Sequence, residues 1–133
     1  MGGMFDRLEI SVLPAGRRFA ATLRILVNGE DVVAGAVGER GRGPFVADAL
    51  PDAGPGPLWA TGEARRVELG EPECSGGCCG FLAVVVQRLA ASVQWSDWEI
   101  PYGEVAPPTF HFDADRYDAE LARVGVRPTG NAR

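Results

Sequence analysis

Apolar and polar residues alternate over two stretches in the N-terminal part of the chain, which predicts β-strands with one buried face. The first stretch covers residues 8–12 and the second covers residues 19–27. Asn28 and Gly29 follow the second stretch, and both residue types tolerate the positive φ angles of a tight hairpin turn. Residues 30–33 are therefore expected to form the returning strand of a hairpin.

Strand patterns continue in the second half of the chain. Residues 64–69 alternate again, whereas residues 81–86 form an unbroken apolar run whose valines favour a buried strand over a buried helix. Residues 109–112 predict a last short strand. We therefore expect a mainly antiparallel sheet of about six strands.

The two tryptophans at positions 95 and 98 create a conflict of spacing. Side chains alternate between the two faces of a straight strand, so such a strand would leave either Trp95 or Trp98 in water. One extra residue near Ser96 and Asp97 resolves the conflict, because a β-bulge re-aims the side chains that follow it. The sequence therefore predicts a bulge at this point.

The pattern changes to that of a helix over residues 113–125. Asp113 is a favourable N-cap and Gly125 a favourable stop. The apolar positions of one helical face are Ala114, Tyr117, Leu121 and Val124. These elements predict the α+β class, with a mainly antiparallel sheet and one C-terminal helix in a single domain of residues 1–133.

Residues 34–62 are expected to form a long loop, because seven glycines and four prolines interrupt regular structure there. Residues 45–50 allow one helical turn within this loop. Its large apolar residues are Leu58 and Trp59, and Trp59 either pins the loop to the core or faces a ligand. Long loops in compact domains are often functional, which makes Trp59 a candidate binding residue.

The composition excludes several classes of function. The chain has 133 residues, a net charge of −5 and 13 basic residues, all of them arginine. Nucleic acid is not an expected partner, because binding to phosphate backbones requires clustered positive charge. The pairs Arg17-Arg18 and Arg65-Arg66 are interpreted as solvated edges. Without lysine, a Schiff base or a P-loop lysine is excluded.

The sequence gives no indication of a membrane partner. No segment approaches the ~18 consecutive apolar residues of a membrane-spanning helix, and the N-terminal residues lack the pattern of a signal peptide. We therefore expect a cytoplasmic location, where cysteines stay reduced or bind a metal. The oligomeric state is left open, with a homodimer among the states considered.

Every cysteine of the chain lies in one glycine-rich segment, as Cys74, Cys78 and Cys79. One hypothesis is a zinc or copper site with these three thiolates, whose fourth ligand is His111, the only histidine, or else a carboxylate such as Glu73 or Asp97, a water or a partner chain. A second hypothesis is a reactive thiol, which would require positive charge or a base nearby. In the third, one or two of the cysteines are small buried side chains in a tight turn between strands, and the glycines give the backbone its freedom.

Residues 95–99 place two indoles beside two carboxylates. Trp95 and Trp98 can form an aromatic wall for a ligand, with Asp97 or Glu99 as a general acid or base. In the alternative interpretation, the tryptophans belong to the core at a bulge and the acids face water. An enzyme built on these residues would need a carboxylate that faces an enclosed pocket.

The second half of the chain resembles a group of small actinobacterial proteins that have no established activity. The resemblance rests on the cysteine- and glycine-rich turn, the apolar strand after it, residues 93–98, and residues 110–113 with Tyr117 leading a helix. Members of the group tend to have Cys-x-Cys-Gly in the turn. Here Ser75 and Gly76 stand where a second early cysteine is expected, so the resemblance implies a fold unit and not an inherited metal site.

Taken together, these features predict a small binding or accessory domain and not a self-sufficient enzyme. The expected partner is a protein or a small molecule that contacts the long loop at Trp59, close to the cysteine segment. The alternatives are a metal-binding protein based on the three cysteines and a small tailoring enzyme with a sheet-lined pocket.

Overall fold

The structure is a computed structural model that describes residues 5–17, 20–38, 41–49, 56–72, 80–101 and 106–125. These residues form seven strands and three helices. The elements are β1 Leu8–Leu13, β2 Thr22–Val27, β3 Glu30–Asp31, α1 Val32–Val37, α2 Val46–Ala49, β4 Arg65–Gly70, β5 Leu82–Leu89, β6 Ser92–Glu99, β7 Phe110–Asp113 and α3 Ala114–Gly125. The predicted class, α+β with mainly antiparallel sheet and a C-terminal helix, is confirmed.

The first sheet has the order β1-β2-β3. Asn28 and Gly29 form the predicted turn between β2 and β3, with φ angles of 55° and 85°. The returning strand is shorter than predicted, because Asp31 ends it and caps α1: its Oδ1 atom accepts a hydrogen bond of 2.9 Å from the Ala34 amide. The expectation that residues 32 and 33 are extended is therefore wrong.

The second sheet has the order β4-β5-β6-β7, and all its strand pairs are antiparallel. Ala83 pairs with Glu99 and Val85 pairs with Ser96, so that two residues of β6, Asp97 and Trp98, stand opposite one residue of β5. Asp97 has a φ angle of 51°, in the left-handed region. The bulge predicted from the tryptophan spacing is therefore confirmed.

A segment of irregular backbone, residues 42–46, joins the two sheets, and we call it the bridging segment. On one side, the Pro44 carbonyl accepts a hydrogen bond of 2.8 Å from the amide of Leu23 in β2. On the other side, Arg42 and Glu71 exchange two backbone hydrogen bonds of 2.9 and 3.0 Å just after β4. A further hydrogen bond, from the Asp6 amide to the His111 carbonyl, links the start of β1 to β7. The sheets thus meet along both sides of the core.

Helix α3 covers the part of the core that lies between β1, β6 and β7. Its apolar face is the predicted one, since Ala114, Tyr117 and Leu121 are buried. Asp113 is its N-cap and accepts a hydrogen bond of 3.0 Å from the Arg116 amide. The largest fully buried side chains of the domain include Trp95, Tyr117 and Phe112.

The segment predicted as a long loop contains two short helices among its described residues. Helix α2 corresponds to the helical turn expected near residues 45–50. Helix α1 is not predicted by the pattern, because Gly35 and Gly38 interrupt its apolar positions; its buried residues are Val33 and Val37, four positions apart. None of the helices formed by the described residues has the length and apolar character that crossing a membrane requires.

Candidate functional site

Trp95 is a core residue and is not available to a ligand. Its side chain is fully buried and packs edge-on against Phe112, with ring centroids 5.1 Å apart. Its Nε1 atom donates a hydrogen bond of 3.3 Å to the hydroxyl of Tyr117. Of the two interpretations of residues 95–99, the structure supports the one in which this tryptophan belongs to the core.

Trp98 and the two acids beside it lie at the edge of the core. Trp98 is half-buried, and its Nε1 atom donates a hydrogen bond of 2.9 Å to the Pro108 carbonyl. Asp97 and Glu99 are exposed, and Glu99 pairs with Arg66 of β4. Neither acid lines any of the three cavities described below. The enclosed carboxylate that a tailoring enzyme would need is therefore not provided by these two residues.

Trp59 packs against the core and is half-buried. The segment that carries it lies beside the end of β5, where the Thr61 carbonyl accepts a hydrogen bond of 2.7 Å from the Arg88 amide. The cysteine segment instead joins β4 to the start of β5 at Leu82. Leu82 and Arg88 are about 20 Å apart along an extended strand. At the other end of this segment, Pro57 and Leu58 line one cavity with Leu69 and Gly70 at the end of β4, and the cysteines themselves lie outside the described residues.

The proposed metal ligands Cys74, Cys78 and Cys79 lie outside the described residues. His111 is described and is exposed on β7, where it pairs with Gln94 of β6. Gln94 in turn pairs with Gln87, about 17 Å along β5 from its start. In the part of the chain that the structure describes, no group of three or more histidine, cysteine, aspartate or glutamate side chains is placed to hold a metal ion.

The cavity richest in arginine is a cleft of about 570 Å³ beside β2 and α1, which we call the arginine cleft. Its apolar floor is formed by Leu23, Val33 and Val37, all buried, and Leu13 extends the apolar lining at the rim. The charged residues that line it are Arg17, Arg24, Arg42 and Asp31. Its volume lies in the range of sites that hold small organic ligands.

Arg42 is held in a fixed position at the inner end of the arginine cleft. Its guanidinium pairs with the Glu71 carboxylate at 2.8 Å, donates to the Gly43 carbonyl at 3.1 Å and lies 4.2 Å from the centre of the Phe45 ring. Only 19% of its side chain is exposed. The Glu71 carboxylate therefore offsets the charge of Arg42, and the ion pair connects the bridging segment to the end of β4.

Arg24 is the more accessible arginine of the cleft. Half of its side chain is exposed, and its Nε atom lies 3.7 Å from a carboxylate oxygen of Asp31. An ion pair at this distance and exposure is weak, so a ligand anion can compete with Asp31 for the guanidinium. The described lining residues include three arginines and one acidic residue, although the whole chain has a net charge of −5; one of the three, Arg42, is paired with Glu71 outside the lining.

Two further cavities have linings in which the carboxylates equal or outnumber the arginines. A cavity of about 340 Å³ lies along β4 and α2, with Phe45 and Leu58 among its lining residues. A cavity of about 690 Å³ lies between β1, β7 and α3. Its lining contains both arginines and carboxylates, and Glu120 and Tyr117 there are already engaged in hydrogen bonds within the fold.

No protein-family model, curated protein or solved structure matches this chain. The candidate site therefore rests on geometry and charge alone. Sequence reasoning misses it because its residues come from separate elements and because the Arg17-Arg18 pair has the pattern of a solvated edge. The sequence could have indicated the site only through arginines next to glycines, such as Arg17 and Arg42, in a chain whose net charge is −5.

Proposed function

We propose that this protein is a small binding domain, active in the cytoplasm, whose ligand is an anionic small molecule or the acidic end of a peptide bound in the arginine cleft. The observation that carries the proposal is the combination of an apolar floor with three arginines around one opening. Apolar pockets with a few converging polar groups are the usual form of ligand sites.

The chemistry of the cleft favours a carboxylate that carries an apolar group. The guanidinium of Arg24 can form two parallel hydrogen bonds with a carboxylate, while Leu23, Val33 and Val37 can cover a short hydrocarbon. Arg42 stays paired with Glu71, so the more accessible Arg24 is the arginine that recognises the anion. Binding is favoured over catalysis because the described lining offers arginines but no nucleophile paired with a base.

A titration series tests the proposal directly. We expect the amide resonances of residues that line the cleft to shift in two-dimensional NMR spectra when alkyl carboxylates are added. Affinity should rise from butyrate to octanoate by several-fold per added pair of methylenes, until the floor is covered. Raising the salt concentration should weaken binding, because part of the attraction is electrostatic.

Two substitutions should change the affinity in opposite directions. Arg24→Gln removes the accessible guanidinium and should weaken octanoate binding about tenfold. Asp31→Asn removes the competing carboxylate and should tighten binding; asparagine is also a good N-cap, so α1 is preserved. Arg116→Gln, on the exposed face of α3, is the matched control. Shifts elsewhere on the surface, or equal affinities for Arg24→Gln and Arg116→Gln, would refute the proposal.

A further inference from the structure

Apart from tyrosine and tryptophan, Thr22 is the only buried residue with a polar side chain in the part of the chain that the structure describes, and only 8% of it is exposed. It lies at the start of β2 and lines the arginine cleft. A buried hydroxyl at the wall of a candidate site needs a hydrogen-bond partner, because leaving it unpaired costs free energy.

The side chain of Thr22 is the part of the residue that can meet a ligand, because its main chain is used within the sheet. Ile10 turns its amide and carbonyl toward the side chains of α3. The main chain of a strand alternates in direction from one residue to the next, so Leu13 turns its own groups toward β2, where it pairs with Thr22.

The surroundings of Thr22 are mostly apolar. Residues directly opposite each other in paired strands have their side chains on the same face, so Thr22 shares its face with Leu13 and Phe45. Arg24, two positions further along β2, is on that face as well. Among the residues that the structure describes, none forms a hydrogen bond with the Thr22 hydroxyl.

Arg24 leans away from Thr22. Its Nε atom lies 3.7 Å from Asp31, and Asp31 pairs with Leu26, which lies beyond Arg24 as seen from Thr22. Residues on one face of a strand follow each other at about 7 Å. An anion bound at the exposed guanidinium therefore leaves the Thr22 hydroxyl available to a second group of the same ligand.

We infer that the ligand of the arginine cleft is an acid with a second oxygen function, a hydroxyl or a ketone, several carbons from its carboxylate, and that Thr22 recognises this group. The inference rests on the proposed function, because it takes the carboxylate to be bound by Arg24. A threonine hydroxyl donates to a ketone, and it donates to or accepts from a hydroxyl. A plain alkyl acid leaves the Thr22 hydroxyl unpaired, so Thr22 selects oxygenated acids.

The affinities of four acids with the same carbon chain test the inference in NMR titrations. They are octanoate, 2-hydroxyoctanoate, 3-hydroxyoctanoate and 5-oxooctanoate. We expect the wild type to bind 3-hydroxyoctanoate or 5-oxooctanoate at least about fivefold more tightly than octanoate. The oxygen of 2-hydroxyoctanoate lies beside the carboxylate and does not reach Thr22, so this acid should show no such gain.

Thr22→Val replaces the hydroxyl with a methyl group and should abolish the preference. The acid that gains in the wild type should lose about tenfold in affinity, whereas octanoate should bind as well as before or better. Thr61→Val is the matched control. The Thr61 hydroxyl lies outside the cleft lining and accepts a hydrogen bond from the Glu63 amide, so this variant should leave all four affinities unchanged.

Thermal unfolding without ligand gives a second readout. Thr22→Val removes an unpaired buried hydroxyl and should raise the melting temperature, whereas Thr61→Val should not. A lower melting temperature of Thr22→Val would show that the hydroxyl has a partner within the chain and would overturn the inference.

The titrations separate this inference from the proposed function. If octanoate shifts the resonances of the cleft and neither 3-hydroxyoctanoate nor 5-oxooctanoate binds more tightly, the proposed function stands and the inference is wrong. If Thr22→Val weakens octanoate as much as the oxygenated acids, the hydroxyl serves the carboxylate and the inference is again wrong. If none of the four acids shifts these resonances, both fail together.

Discussion

Tyr117 shows at the scale of one residue how the core holds a loop in place. Its hydroxyl donates a hydrogen bond of 2.5 Å to the Leu58 carbonyl and accepts one from Nε1 of Trp95. Burial raises the pKa of Tyr117 well above its ordinary value, which keeps the hydroxyl neutral and able to donate at physiological pH. One hydroxyl thus satisfies two polar groups inside an apolar core.

Replacing Tyr117 with phenylalanine should therefore destabilise the domain strongly for the loss of a single oxygen. The Leu58 carbonyl and the Trp95 indole would both lose a buried partner, and each unsatisfied group costs about 1–3 kcal/mol. We expect urea unfolding to show a loss of about 2–4 kcal/mol. Ser92→Ala removes a more exposed hydroxyl and should cost less than about 1 kcal/mol. Equal effects of the two variants would contradict this account.

Asp97 combines an unusual backbone conformation with a position in the sequence that makes it a candidate functional acid. Its position in a Trp-Ser-Asp-Trp run suggests a binding or catalytic acid. In the structure, its left-handed φ angle belongs to the bulge that brings Trp98 to within 6.2 Å of Trp95, measured between ring centroids. Its unusual conformation is thus explained by the packing of Trp98 at the edge of the core.

At the scale of elements, α3 protects the edge of β1 with two side chains in place of a neighbouring strand. The Glu120 carboxylate accepts a hydrogen bond of 2.7 Å from the Ile10 amide, and Arg123 donates to the Ile10 carbonyl. The same two side chains pair with each other at 2.6 Å. A carboxylate and a guanidinium therefore occupy the donor and acceptor positions that another strand would use.

This contact makes the stability of the domain depend on pH. The Arg123 guanidinium, and to a lesser extent the Ile10 amide, hold the pKa of Glu120 below its ordinary value of 4.5, against the opposing effect of burial. A carboxyl whose pKa is lower in the folded state stabilises the fold above its unfolded pKa. This contribution is lost as the pH falls through the folded value.

We expect Glu120→Gln to lower the stability at pH 7 by about 1–3 kcal/mol, because hydrogen bonds to a charged group are lost. Between pH 7 and pH 3 the wild type should lose more stability than the variant does, so the difference between them should shrink. Urea unfolding at several pH values measures this. Glu63→Gln is the matched control, since Glu63 is an exposed carboxylate outside the strands and helices. A difference that stays constant with pH would contradict the role given to Glu120.

At the scale of the whole molecule, the bridging segment decides whether the two sheets behave as one unit. It contacts β2 through Pro44 and the end of β4 through Arg42. The close approach requires glycine at position 43, because a Cβ atom there would overlap the Leu23 carbonyl oxygen. The backbone of the segment can therefore lie directly on β2 only if residue 43 has no side chain.

Gly43→Ala should therefore destabilise the whole domain by about 2 kcal/mol or more, since the overlap involves backbone atoms that cannot move aside. Gly35→Ala is the matched control, because a Cβ atom at position 35 meets nothing within 4 Å. Gly35 lies inside α1, so alanine there should stabilise the domain by about 0.5–1 kcal/mol. Thermal unfolding monitored by circular dichroism compares the two. If the two substitutions changed the melting temperature in the same direction, the bridging segment would not pack as described.

Much of the fold could be predicted from local patterns. The hairpin at Asn28 and Gly29, the bulge near Asp97 and the helix capped by Asp113 each depend on neighbouring residues, whose spacing reports which face is buried. Helix α1 could not be predicted, because its glycines lower its helix propensity and the contact of its buried valines with the core, added to the Asp31 cap, stabilises it.

The candidate site could not be predicted from local patterns. Arg42 is distant in the sequence from Arg17 and Arg24, and the hydrogen bonds of the bridging segment bring it to β2. The structure does not bring the residues that the sequence analysis proposed as ligands or binding residues into this cleft. Trp95 is in the core, and His111 is exposed on β7, whereas β4 and β5 flank the cysteine segment.

The sequence by itself determined the class, most of the strands, the bulge and the C-terminal helix, because periodicity and capping are local properties of a chain. Only the tertiary structure decided that the two sheets are joined by residues 42–46 and that one cleft gathers three arginines. These features depend on strand order and register, which are set by contacts between residues distant in sequence.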